Sequence, residues 1–308
     1  MNYELLTDLI GQEQAITLIQ QAVNTNKIAP AYLFVGIPGI GKRIAAEGFA
    51  RLLLNCSNNL FSSNHADLMW VEPTYSDRGN LVKASVAEAE NIRRKTAPQI
   101  RIEQIRQITQ FFNRQPLRGD RLLAIVEDAH LMSEASANAL LKTLEEPHRG
   151  TIILIAPSSD LLLTTIVSRC QCIRFTPLSK ENLQLVLQKN NHSEILANPS
   201  LIAMSQGSPG LAIAATENLQ AIPDSLQQQL LRIPQNYLEA FAIAKAITQE
   251  LELPTQLWLV DYLQHYYWQK NRDSLLANRW EKTRQYLLSY VQPRLVWESL
   301  LLAMANNS

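Results

Sequence analysis

Gly36-Ile37-Pro38-Gly39-Ile40-Gly41-Lys42-Arg43 is a phosphate-binding loop complete in every position but its last. The pattern takes Gly36, Gly41 and Lys42 at this spacing, with Gly39 inside the turn, and then a Ser or Thr; here Arg43 stands in that place. Glycines let backbone N–H groups close around phosphate oxygens, and the lysine neutralises the outer phosphates. The hydroxyl that normally follows holds Mg²⁺, which offsets charge on the transferring phosphoryl group. A guanidinium has donors only and cannot ligate a cation. The chain keeps a nucleotide cradle and lacks a part needed for turnover. ATP or ADP binding at this cradle is therefore expected to be weak.

The flanks support a genuine loop. Ala31-Tyr32-Leu33-Phe34-Val35 is a short apolar run suited to a buried strand, and Ile44 to Leu54 is Ala/Leu-rich and reads as a helix. Strand, glycine turn and helix is the context the motif requires. A turn that uses its glycines only for tightness would leave Lys42 unexplained.

With 308 residues the chain is long enough for two or three domains. Its 28 basic and 28 acidic residues balance, so no global charge drives it onto nucleic acid or membrane. Three cysteines cannot form a disulfide framework and suggest a reducing compartment. Met1-Asn2-Tyr3-Glu4 opens no signal peptide, and no apolar run approaches the ~20 residues that span a bilayer. The expectation is a soluble cytoplasmic protein with no membrane partner.

Up to about residue 177, strand-like runs at 31–35, 68–72, 121–126, 151–156 and 172–175 alternate with helical stretches, which implies a parallel sheet covered on both faces. Beyond Pro177 the strand signal ends. Leu178 to Asn190, Ser208 to Leu219 and the stretches after Pro234 have helical spacing, punctuated by prolines. Three domains are expected: an α/β nucleotide-binding-like domain over 1–177, a small helical lid over 178–215, and an all-helical domain over 216–308.

Leu122-Leu123-Ala124-Ile125-Val126-Glu127-Asp128 is a hydrophobic strand ending in two acids, the order in which P-loop ATPases place a metal acid and a water-polarising acid reversed. An acidic pair that merely ends a strand and caps the next helix remains open on these residues alone. More specific are Asn138-Ala139-Leu140-Leu141-Lys142-Thr143-Leu144-Glu145-Glu146-Pro147 and Ser168-Arg169-Cys170. Together with Asp8-Leu9-Ile10-Gly11-Gln12 and the 31–34 strand, they resemble the signature stretches of clamp-loader ATPases of the AAA+ superfamily. The resemblance spans roughly residues 5–215.

The departures are similar to those of the delta-prime branch of bacterial DNA polymerase III clamp loaders. A gamma/tau motor is expected to carry Lys-Thr or Lys-Ser where Lys42-Arg43 stands, and Asp-Glu where Glu127-Asp128 stands. It carries a polar sensor where the next strand ends Ala156-Pro157, with Ser158 and Ser159 beyond, and a sensor arginine where Gly210 stands. The resemblance implies an AAA+ module with a helical lid and a C-terminal collar. It implies a subunit with little or no ATPase, assembling with gamma/tau and delta to load the sliding clamp on primed DNA. Arg169 would be its catalytic contribution, an arginine finger supplied in trans. Two rivals stay open: an active short gamma/tau-type motor, and a nucleotide-dependent switch outside replication.

Arg93 to Arg121 holds eight basic residues opposed by Glu103 and Asp120. By the same resemblance the helix beginning near Arg101 faces DNA, which makes Arg101 and Arg106 DNA-proximal; a solvated helix face explains the cluster equally well. Residues 257–268 are an aromatic-rich helix in which Trp258 and Tyr262 share a face. A four-cysteine zinc module, usual in this family after the loop helix, has only Cys56 and His65 to draw on, so no zinc is expected. Cys170 and Cys172 read as small buried thiols.

Overall fold

The computed structural model describes residues 6–56, 65–77, 80–90, 97–145, 150–289 and 291–306. The chain divides into two compact units, Met1–Asn182 and Leu183–Ser308.

The first unit is built on five parallel strands: β1 (Ala31–Val35), β2 (Leu68–Val71), β5 (Leu122–Val126), β6 (Gly150–Ala156) and β7 (Gln171–Arg174), in the order β2-β5-β6-β1-β7. Every residue of β1, β5 and β6 is buried. Parallel strands covered on both faces are expected to read as continuous apolar runs, as these do. The edge strand β7 alternates instead, with Gln171 and Arg174 exposed and Ile173 buried. The observed bounds lie within a residue of those the sequence suggests. A small antiparallel hairpin, β3 (Thr74–Asp77) with β4 (Asn80–Lys83), is additional; its four-residue strands, apolar only at Tyr75, Leu81 and Val82, are too short to carry a strand signal.

Because the strands are parallel, their carboxyl ends share one edge. Gly36 follows β1, Glu127 follows β5 and Pro157 follows β6 on that edge, where ligands bind in open α/β sheets. The helix after the loop is Lys42–Leu53, two residues earlier than its apolar pattern suggests, because Gly41 (φ 102°) caps it from a left-handed conformation. The N-terminal motif closes over the same region. Gln12 is 3% exposed; its amide donates to the Thr176 carbonyl at 2.8 Å and accepts from the Thr176 N–H at 3.1 Å.

Among its described residues the second unit holds helices and the loops that join them, with no strand. Side-chain caps start four of its described helices: Asn198 accepts from the N–H of Ser200 and Leu201, Ser208 from Leu211, Asn236 from Glu239, and Asp273 from Leu275 and Leu276. Pro199, Pro209 and Pro293 occupy first-turn positions, where a missing N–H is harmless. Trp280 and Trp297 are fully buried, ring centroids 6.4 Å apart. The Trp297 indole donates to Gln256 at 2.9 Å, and Gln256 donates to the Leu251 carbonyl. Trp258 and Tyr262 stack at 5.3 Å, on one helix face as their spacing requires.

Candidate functional site

The loop turns under β1 because no side chain fits there. A Cβ on Gly36 would lie 2.6 Å from the Phe175 carbonyl, and one on Gly41 would lie 2.9 Å from Leu9 Cδ1. Gly39, at φ 71°, completes the turn. Lys42 is 7% exposed and does not point outward: its Nζ donates to the carbonyls of Gly36 and, at 2.8 Å, of Ile37. Burial pulls its ammonium down from the ordinary lysine value to about 8, against the opposing attraction of Asp128 and then Glu127.

Arg43 carries the second feature. Its Nη1 lies 3.4 Å from Glu127 Oε1, and its guanidinium sits 5.3 Å from the centre of the Trp70 ring. The Trp70 indole donates to the other Glu127 oxygen at 3.1 Å. Glu127 is thus held by two donors; burial still raises its carboxyl above the ordinary glutamate value despite Arg43 and Trp70. Asp128 adopts a left-handed conformation (φ 48°) and leads into the Ala129–Leu131 turn. The loop and the two acids are brought together as the sequence motifs require. The arrangement does not fit a catalytic magnesium ion: the residue that should give a hydroxyl instead places a cation on the acid that should face the metal.

Arg169 lies between the short helix Thr164–Val167 and β7. Its Nη1 donates to the Thr165 carbonyl at 3.0 Å and its Nη2 to Glu145 at 2.8 Å, with the side chain 38% exposed. Neither partner belongs to the phosphate loop. Cys170 and Cys172 are half-buried rather than buried, packed against the sheet core, and burial pushes the Cys170 thiol up to about 12. After β6, Ser158 caps a short turn by accepting from the Asp160 N–H. Gly210 falls in the first turn of the helix Pro209–Gln220.

Arg101 is the N-cap residue of the helix Ile102–Phe112, with its Nε buried and without a hydrogen-bond partner, while Arg106 is exposed. Arg106 lines a groove of about 530 Å³ with Ile102, Thr109, Gln110, Asn138 and Lys142. Arg93, Arg94 and Lys95 lie outside the described residues, as do Glu146-Pro147 and residues 57–64 of the stretch considered for zinc. Among the described residues no cluster of three or more His, Cys, Asp or Glu could hold a metal, and His65 instead accepts from the Asp67 N–H at 3.2 Å. No described helix is long and apolar enough to cross a membrane.

Three residues of this unit escape a reading of motifs. Trp70 joins the site because β2 runs in register with β5, Trp70 opposite Ile125, which the sequence does not display. Gln12 closes the N-terminal motif, and Glu145 holds Arg169. The latter two sit inside recognisable motifs, but nothing in the motif names their partners.

The sheet order, with a phosphate loop after β1 and an acidic tip after β5, defines a P-loop module of the AAA+ class. Residues 11–179 match the family model described as DNA polymerase III, delta subunit, and residues 181–304 match the cyanobacterial DNA polymerase III delta prime, C-terminal domain. The chain is 30% identical to DNA polymerase III subunit delta' of Pseudomonas aeruginosa, over 74% of this chain and 70% of that one. It is 31% identical to subunit delta' of Bacillus subtilis over 56% of this chain and 50% of the relative. It is 28% identical to subunit tau/gamma of Haemophilus influenzae over 70% of this chain and 31% of the relative. A gamma subunit-related protein from Thermotoga maritima has the same fold, with TM-score 0.55, 18% identity, and coverage of 95% of this chain and 99% of that one. The chain belongs to the delta-prime family of DNA polymerase III clamp-loader subunits. It spans between 31% and 51% of the length of several other curated relatives.

Proposed function

We propose that this protein is a non-hydrolysing, cytoplasmic stator of the DNA polymerase III clamp loader. It assembles with gamma/tau and delta subunits and supports ATP-driven loading of the sliding clamp onto primed DNA. One observation carries the reading: the Arg43 guanidinium rests on Glu127 where a motor would hold magnesium. A subunit with this cradle binds ATP or ADP weakly and does not turn it over. Its contribution to chemistry is Arg169, offered to the ATP site of a neighbour, where a trans arginine stabilises charge on the transferring phosphoryl group. Residues 178–215 serve as lid and 216–308 as collar. The groove of Arg106 and Lys142 is the surface best suited to meet DNA phosphates, because both cations are exposed and no base-reading motif accompanies them.

The test is reconstitution. The purified protein alone should show no ATP turnover above background. Mixed with gamma/tau, delta and clamp, it should enter a complex whose ATPase rises with primed DNA. Turnover by the isolated protein would make it a motor of the gamma/tau type, and failure to enter the complex would remove it from the clamp loader.

A further inference from the structure

We infer that Glu145 is a positioning residue for Arg169, setting the guanidinium in the geometry it presents to a neighbouring molecule; the inference rests on the trans role proposed for that arginine. Glu145 is the last residue of the helix Glu134–Glu145. A helix carboxyl end carries partial negative charge, so an acid there is disfavoured unless a cation lies beside it. Arg169 is such a cation, its Nη2 2.8 Å from Glu145 Oε1. The second hold comes from a different helix, where the Thr165 carbonyl accepts from Nη1 at 3.0 Å. Two acceptors on two elements bias the orientation of a planar group that would otherwise sample many rotamers.

The grip does not consume the arginine. A guanidinium has five N–H donors, and these two contacts leave three for an incoming phosphate. The pair also faces outward, with side chains 38% and 54% exposed for Arg169 and Glu145, so a second molecule can reach it. An exposed ion pair holds its geometry only weakly, which limits the effect of losing it to about fivefold. Since Arg169 would act on charge that develops in the transition state, better placement raises kcat and leaves KM alone. An ordinary surface ion pair would move neither.

The experiment uses the full-length protein assembled with gamma/tau, delta, clamp and primed DNA, and measures steady-state ATP hydrolysis. Glu145→Ala should lower the kcat assigned to the neighbouring site about threefold to fivefold with KM unchanged. Glu145→Gln, which keeps an acceptor oxygen, should stay near wild type. In an Arg169→Ala background, Glu145→Ala should change nothing further. The inference is overturned if Glu145→Ala leaves kcat unchanged or raises it, if its effect persists without Arg169, or if the variant no longer assembles. If Arg169→Ala slows hydrolysis and Glu145→Ala does not, the positioning role alone fails; if Arg169→Ala has no effect, the trans role fails and this one with it.

Discussion

Arg43 and Glu127, 84 residues apart in sequence, meet at 3.4 Å on the carboxyl edge of the sheet. A side-chain cation therefore faces the strand-tip acid in place of a metal. A guanidinium has donors only and cannot take a metal's part, which is what the proposed non-hydrolysing role rests on.

Nucleotide affinity should accordingly be insensitive to magnesium. Calorimetric titration with ATP or ADP, with and without magnesium, should give dissociation constants equal within error; tight, magnesium-dependent binding contradicts the site described. Arg43→Thr restores one hydroxyl but leaves Asp128 on the wrong side of the acidic pair and Gly210 in place of an arginine. That variant alone should show no turnover above background.

Lys42 gives the site a pH dependence. Its folded-state value of about 8 lies below the ordinary 10.5. Between the two, the unfolded chain holds a proton the folded chain has released, so this group favours folding as pH rises through that window. The charge offered to phosphate runs the other way: it is present below pH 8 and lost above it. ATP affinity should fall roughly tenfold from pH 7 to pH 9. A flat profile over that range would mean that Lys42 never meets the phosphate.

Most of the sheet was legible because β1, β5 and β6 are buried on both faces and must be apolar at every position. The loop was legible because its glycines stand where a Cβ would meet the Phe175 carbonyl or Leu9, a constraint that fixes residue type locally. The pairings around it were not. Arg43 to Glu127, Trp70 to Glu127 and Arg169 to Glu145 each depend on which strands or helices become neighbours, a tertiary choice that leaves no local pattern. The hairpin of β3 and β4 leaves no pattern for a different reason: its strands are four residues long and mix polar with apolar positions.

Asp67 is such a tertiary feature and makes a stability prediction. It is 1% exposed, and its carboxylate accepts from the backbone N–H of Leu117 (2.7 Å), Arg118 (2.7 Å) and Gly119 (3.0 Å). Burial alone would raise its carboxyl, but the three N–H donors outweigh it and hold the group below the ordinary 3.8. A depressed acid stabilises the fold above that value and ceases to do so as pH falls through its folded-state value. Asp67→Ala should cost about 2–3 kcal/mol at pH 7, since three donors lose a charged acceptor. The gap between variant and wild type in urea unfolding should narrow as pH is lowered below 3.8. Equal gaps at pH 7 and pH 3 would mean that charge is not what holds the 117–119 turn.

Gln256 plays a comparable part in the second unit, joining the buried Trp297 indole to the Leu251 carbonyl. Gln256→Leu leaves a buried N–H and a buried carbonyl without that partner. It should destabilise the unit by about 1–3 kcal/mol, read from its thermal transition, while leaving the phosphate loop's nucleotide affinity unchanged.

Arg169→Ala should leave the protein folded and assembled yet slow ATP hydrolysis by its neighbour. The side chain is partly exposed, and its ion pair with Glu145 is of the surface kind that adds little to stability, so the fold should tolerate its loss. On the proposed non-hydrolysing reading, which rests on the Arg43–Glu127 pair, its own subunit has no site for it to serve. The defect should therefore be absent from the isolated protein and appear only in the complex, at the one site facing this subunit. At that site a lost trans arginine costs on the order of 10³–10⁵ in turnover. Other sites keep their own arginines, so bulk hydrolysis should fall only in part while clamp loading falls further. Arg169→Lys should rescue poorly, since a point charge does not reproduce the planar fork. Clamp loading at the wild-type rate by the alanine variant would reduce Arg169 to a surface ion pair and leave the proposed stator role without a catalytic contribution.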